Sequence, residues 1–76
     1  METKLLEIFN IELDNNNKKK IDLLILDQRL QDDIGFDSLE LAELTVRIDE
    51  AFGVDVFADG IVHTIEDIVD KIKNNE

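Results

Sequence analysis

Ile34-Gly35-Phe36-Asp37-Ser38-Leu39-Glu40-Leu41-Ala42-Glu43-Leu44-Thr45-Val46-Arg47-Ile48-Asp49-Glu50-Ala51-Phe52-Gly53 is the stretch that decides how this chain folds. Asp37 is a good N-cap, and Glu40 three residues later completes the sequence signature of a capping box. With successive residues about 100° apart, Leu41, Leu44, Thr45, Ile48 and Phe52 share one helical face, the stripe expected to enter a core. Leu39, Ala42 and Val46 form a second apolar stripe beside it. Glu40, Glu43, Arg47 and Glu50 group opposite the core and are expected to face water. Gly53 stands where a helix stop belongs. The apolar arc is wider than one buried face requires.

Working outward, Leu5 and Phe9 lie one turn apart, with Leu6 and Ile8 widening the stripe, and predict a first helix over residues 2 to about 13. Glu7 and Glu12 are expected on its wet side. Asp14-Asn15-Asn16-Asn17 stops it, because short polar side chains compete for backbone hydrogen bonds. Lys18-Lys19-Lys20, the one basic cluster, reads as a solvated loop. Residues 21–26 are an apolar run too short to read by period; with no second strand to pair with, they belong to a long connection, with room for a helical turn within residues 28–32. After Gly53, Thr64 with Asp67 forms a second capping pair, and Ile65, Ile68, Val69 and Ile72 mark a last short helix. The expected class is all-α, three or four helices around one core in a single domain over residues 1–76.

Composition bounds the function. The 76 residues carry 19 acidic and 8 basic side chains, a net charge of −11, with 43% apolar residues in periodic stripes that argue against disorder. That field repels nucleic acid and anionic membranes and attracts basic protein surfaces or divalent cations. No cysteine is present, so disulfides, thiolate metal sites and cysteine nucleophiles fall away. No apolar run approaches the roughly 20 residues that cross a bilayer, and the amino terminus lacks signal-peptide order, so a cytoplasmic protein is expected. His63, the single imidazole, has no nucleophile beside it in sequence, and no pair of carboxylates is singled out by spacing, so enzymatic activity is not expected.

Chemistry concentrates at Ser38. If Asp37 caps the helix, Ser38 is the first helical residue, its hydroxyl at a tip whose N–H groups lack helical partners and whose partial positive charge favours an attached anion. Gly35 is expected to permit a tight approach and leave the hydroxyl accessible. Taken alone, the same residues also read as an ordinary capped helix start.

Gly35-Phe36-Asp37-Ser38-Leu39 followed by Glu40-Leu41-Ala42-Glu43-Leu44 resembles the attachment motif and second helix of the acyl carrier protein family. The resemblance runs upstream through Leu30, Asp32, Asp33 and Ile34, and downstream through Phe52 and Thr64-Ile65, covering residues 27–72. It implies a four-helix bundle with a short third helix, and phosphopantetheine moved from coenzyme A onto Ser38 by a phosphopantetheinyl transferase. Acyl or aminoacyl cargo would ride as a thioester on that arm, loaded by a ligase and passed to acyl-transfer or synthase enzymes with basic docking surfaces. The carrier itself would be a non-catalytic monomer. Leu39, Ala42 and Val46, with the acidic Glu43, Asp49 and Glu50, match docking positions of the second helix. Departures from fatty-acid carriers are Phe57 where proline often stands, a shortened segment between Phe52 and Thr64, Arg47 on the acidic helix and the Asn-Lys loop. Two other classes share the sequence features: an acidic helical interaction module without a prosthetic group, and a degenerate EF-hand. In the second, Asp55, Asp59, Gly60, Val62 and Glu66 fall in calcium-loop register, with Phe57 at a position that needs an oxygen ligand.

Overall fold

A computed structural model describes residues 1–58, 60 and 62–75. Helix α1 spans Glu2–Asn15, α2 Ser38–Phe52 and α3 Ile65–Asn74, and a five-residue π-helical turn, Leu30–Ile34, precedes α2. The core is where the apolar stripes meet: Leu5, Ile8, Phe9 and Leu13 from α1, Leu41, Leu44 and Ile48 from α2, and Ile65, Ile68, Val69 and Ile72 from α3. Leu30, Phe36, Val54, Val56 and Val62 close it from the connections.

The asparagine run stops α1 through a definite geometry. Asn17 adopts a positive φ of 60°. The Lys18 N–H then reaches the Leu13 carbonyl at 2.8 Å and the Asn17 N–H reaches Asp14 at 3.1 Å. This is the Schellman pattern, with asparagine in the left-handed position that glycine usually fills.

The long connection is irregular, as expected, and is strapped down by polar groups as much as by its leucines. Asn10 on α1 accepts from the Ile21 N–H at 2.8 Å and donates to the Ile21 carbonyl at 3.0 Å, imitating a backbone pair. Ile21 and Leu24 pack on the core, whereas Leu23, Ile25 and Leu26 remain substantially exposed. The connection then runs against the start of α3: a single antiparallel bridge joins Arg29 and Thr64. The helical turn expected within residues 28–32 falls slightly later, at Leu30–Ile34, and is wound as i→i+5, with Ile34 bonded to Arg29 at 3.0 Å and Gly35 to Leu30 at 3.2 Å.

The all-helical class is as expected, but the short helical segment lies before α2 and not after it. Among the described residues between Phe52 and Thr64 there is no helix. Val54 and Val56 are buried and Asp55 between them is exposed. The Asp55 carboxylate accepts from the Phe57 N–H at 3.0 Å, and i→i+3 bonds from Ala58 to Asp55 and from Gly60 to Phe57 complete successive turns. Asp55 thus spends a carboxylate oxygen on its own loop, Val62 is buried, and no cluster of three candidate metal ligands occurs among the described residues. Asp59, the central ligand of the calcium-loop reading, lies outside the described residues.

Candidate functional site at the start of α2

Two helices of this protein open with the same device, and the difference between them defines the site. In α3, the Thr64 hydroxyl accepts from the Asp67 N–H, and the Asp67 carboxylate accepts from the N–H groups of Thr64 and His63 at 3.2 and 3.0 Å. The His63 and Thr64 N–H groups hold the Asp67 carboxyl below its ordinary value, against an opposing contribution from burial. The remaining first-turn donors are also occupied: the Ile65 N–H binds the Gln28 carbonyl at 3.1 Å and the Glu66 N–H binds Leu26 at 2.9 Å. That helix end is closed.

In α2, the Asp37 carboxylate accepts from the Glu40 N–H at 2.8 Å, and Glu40 Oε1 accepts from the Asp37 N–H at 3.0 Å. The first helical bond is Leu41 N–H to the Asp37 carbonyl, 3.0 Å. Ser38 and Leu39 therefore sit at the two positions whose N–H groups precede the ladder, and among the described residues neither donates to a protein acceptor. Ser38 is exposed and Leu39, beside it, is 70% exposed. This helix end is open, with a hydroxyl and two free donors at the positive end of the α2 dipole.

The motif residues before Ser38 hold this arrangement. Phe36 is buried and meets the Phe9 ring edge-on, centroids 5.8 Å apart and planes at 69°, which fixes the start of α2 to α1. Gly35 ends the π turn at φ 96°, and a Cβ there would meet nothing within 4 Å. Its necessity is thus the left-handed backbone, and not the tight approach expected from the sequence.

Four charged residues expected in water are wholly or partly withdrawn from it. Glu40 is buried at 3% exposure. Its Oε1 also accepts from Lys18 Nζ at 2.5 Å, while the same ammonium bonds the Gly35 carbonyl. Glu12 of α1 is 1% exposed and is met by Arg47 Nε at 2.9 Å and Asn16 Nδ2 at 2.8 Å. Arg47 itself is half-buried. Glu40 and Arg47 thus lie on the flank of α2 next to Leu44 and not opposite the core as expected, because the helical wheel carries no information on what packs against that flank. Lys18, expected as solvated loop, belongs to the site.

The expected docking residues keep to the outside. Leu39, Ala42, Glu43, Val46, Asp49 and Glu50 are all exposed, with Val46 at 57%. The neighbouring Glu12 carboxylate, by favouring a shared proton and by its charge, raises the Glu43 carboxyl above the ordinary value.

An exposed hydroxyl beside unpaired first-turn N–H groups, with both local carboxylates already engaged in the cap, fits a phosphodiester on Ser38. Comparison with known proteins agrees in kind. The family model for the phosphopantetheine attachment site matches residues 19–72. An acyl carrier protein of Rickettsia bellii strain RML369-C is 33% identical over 85 aligned positions, covering 100% of this chain and 99% of that protein. An acyl carrier protein of strain OSU 85-389 is 34% identical over 64 positions, covering 82% and 79%. No solved structure matches the chain. By its motif, its fold and these matches, the chain belongs to the phosphopantetheine-bearing acyl carrier protein family.

Proposed function

We propose that Ser38 is the residue that takes the phosphopantetheine arm and that residues 1–76 act as one carrier domain. The observation that carries this reading is the open amino terminus of α2, where Ser38 is exposed at the first helical position. In the loading reaction the Ser38 oxygen forms a bond to the phosphorus that bears pantetheine in coenzyme A. The pyrophosphate P–O bond breaks, adenosine bisphosphate leaves with the electron pair, and the hydroxyl proton passes to a base on the phosphopantetheinyl transferase. The arm supplies a thiol on which acyl cargo rides as a thioester, so a chain without cysteine can still carry acyl groups.

The protein's own residues bind and present; they do not catalyse. Leu39, Ala42 and Val46 offer an apolar strip running away from Ser38, flanked by Glu43, Asp49 and Glu50. A synthase, ligase or acyl-transfer enzyme with a basic rim around an apolar hollow would take that strip, the charges speeding encounter and the apolar contacts giving residence. The carrier works as a cytoplasmic monomer, in keeping with its net charge of −11.

The test is intact-protein mass after incubation with coenzyme A and a broad-specificity phosphopantetheinyl transferase, run beside Ser38→Ala. One added phosphopantetheine on the native chain and none on the variant is expected. No mass change on folded native protein, or equal loading of the variant, would overturn the assignment of Ser38.

A further inference from the structure

We propose that Lys18 is a positioning residue for the loading of Ser38, an inference that rests on Ser38 being the attachment residue. Lys18 lies 20 residues from Ser38 in sequence, just outside the span matched by the family model, yet its ammonium contacts the site from both sides. It donates to the carbonyl of Gly35, three residues before Ser38, and to Oε1 of Glu40, two residues after it. The backbone of Lys18 is itself fixed, because its N–H closes the stop of α1 on the Leu13 carbonyl at 2.8 Å. Loop and attachment helix are thereby joined through one side chain.

Glu40 explains why the contact is needed. Its side chain is 4% exposed, and among the described residues its Oε2 has no hydrogen-bond partner and its Oε1 takes only the Asp37 N–H and Lys18. Lys18 supplies its sole ion pair among the described residues. A buried carboxylate with one neutral donor and no counter-charge is strongly disfavoured. Without Lys18, Glu40 swings toward water and the Asp37 N–H loses its acceptor. The capping box opens and the first turn, with Ser38 in it, frays. The same ammonium steadies Gly35, whose left-handed conformation sets the direction from which the chain enters α2. Lys19 and Lys20 are exposed and make none of these contacts, so charge in the loop is separable from the role of Lys18.

The experiment measures steady-state transfer of phosphopantetheine onto native protein, Lys18→Met, Lys18→Arg and Lys19→Met with one transferase. A variant in α3 remote from the site, Val69→Ala, is brought to the same thermal margin as Lys18→Met by choice of temperature. Lys18→Met is expected to lose about 10-fold in kcat, a fraction of the roughly 100-fold that a 1 Å misplacement of a reacting group can cost, with KM unchanged or lower because the carrier becomes more acidic. Lys18→Arg recovers most of the rate, and Lys19→Met and Val69→Ala load at close to the native kcat. Native-like kcat for Lys18→Met, or an equal loss in Val69→Ala at matched margin, would overturn the positioning role. If the native chain accepts no arm at all, it is the assignment of Ser38 that fails.

Discussion

Arg47 on α2 donates from Nε to Oε1 of Glu12 on α1 at 2.9 Å, and the carboxylate it meets is 1% exposed. The pair ties the two helices that meet behind the attachment site. A buried ion pair adds little over a well-packed apolar pair, but removing one member leaves a charge stranded. The guanidinium is 37% exposed, so water shields part of that loss. Arg47→Met is expected to cost about 2 kcal/mol, and the double variant with Glu12→Gln distinctly less than the sum of the singles. Urea unfolding of the four proteins measures the coupling.

Glu43 and Asp67 give opposite pH signatures. Glu43 has a raised carboxyl, so its contribution to stability is fully present below its unfolded value of 4.5 and is lost as pH rises through the folded value. Glu43→Gln should therefore melt higher than native protein at neutral pH, with the gain vanishing toward acid. Asp67 is lowered, so its contribution is present above 3.8 and lost as pH falls through the folded value. Asp67→Asn should melt lower at neutral pH and converge on native protein in acid. Melting curves taken between about pH 3 and pH 7 would show both trends.

Gly35→Ala tests backbone conformation alone, since a Cβ at φ 96° meets no neighbour. A loss of about 1–2 kcal/mol is expected from the left-handed position. Gly35→Asn should lose less, because asparagine tolerates that region, as Asn17 does here. Denaturant titration reads both variants.

Phe36 joins the motif to the core through Phe9. Phe36→Ala removes a buried aromatic ring at a cost of about 3–5 kcal/mol. That is the whole stability expected of a domain this small, about 3–5 kcal/mol. Circular dichroism of Phe36→Ala should show a largely unfolded chain that is loaded poorly although Ser38 is intact. Phe36→Leu keeps most of the volume and should remain folded.

Leu39 and Val46 are 70% and 57% exposed, so replacing either with alanine should leave stability within about 0.5 kcal/mol. The same changes should raise KM for a partner enzyme several-fold if the strip is a docking surface, whereas Glu50→Gln should act mainly on the salt dependence of association. Unchanged kinetics across all three would assign the strip to ordinary helix surface.

The site was more legible than the path leading to it. Asp37, Glu40, Thr64 and Asp67 announced two capping boxes because a cap is a local bargain between residues three apart, and both are present. The first of them placed Ser38 at the helix start, but it was the resemblance of residues 35–44 to the carrier family's attachment motif that singled it out. The π winding of the turn before α2, the strap from Asn10 to Ile21 and the turns that bury Val54 and Val56 were not legible, because each is decided by a distant surface and leaves no period in the local sequence.

Sequence alone thus determined the three main helices, their apolar faces and the place of Ser38 at the start of one of them, since hydrophobic periodicity and capping chemistry act within one or two turns. Tertiary structure alone decided the fate of the polar residues. Glu12, Glu40, Arg47 and Lys18 carry the same charges as their solvated neighbours, and no pattern marks which will be covered by another helix. Packing α1 and the loop after it against α2 removed water from Glu12 and Glu40, and each buried carboxylate is met by one half-buried cation, Arg47 for Glu12 and Lys18 for Glu40.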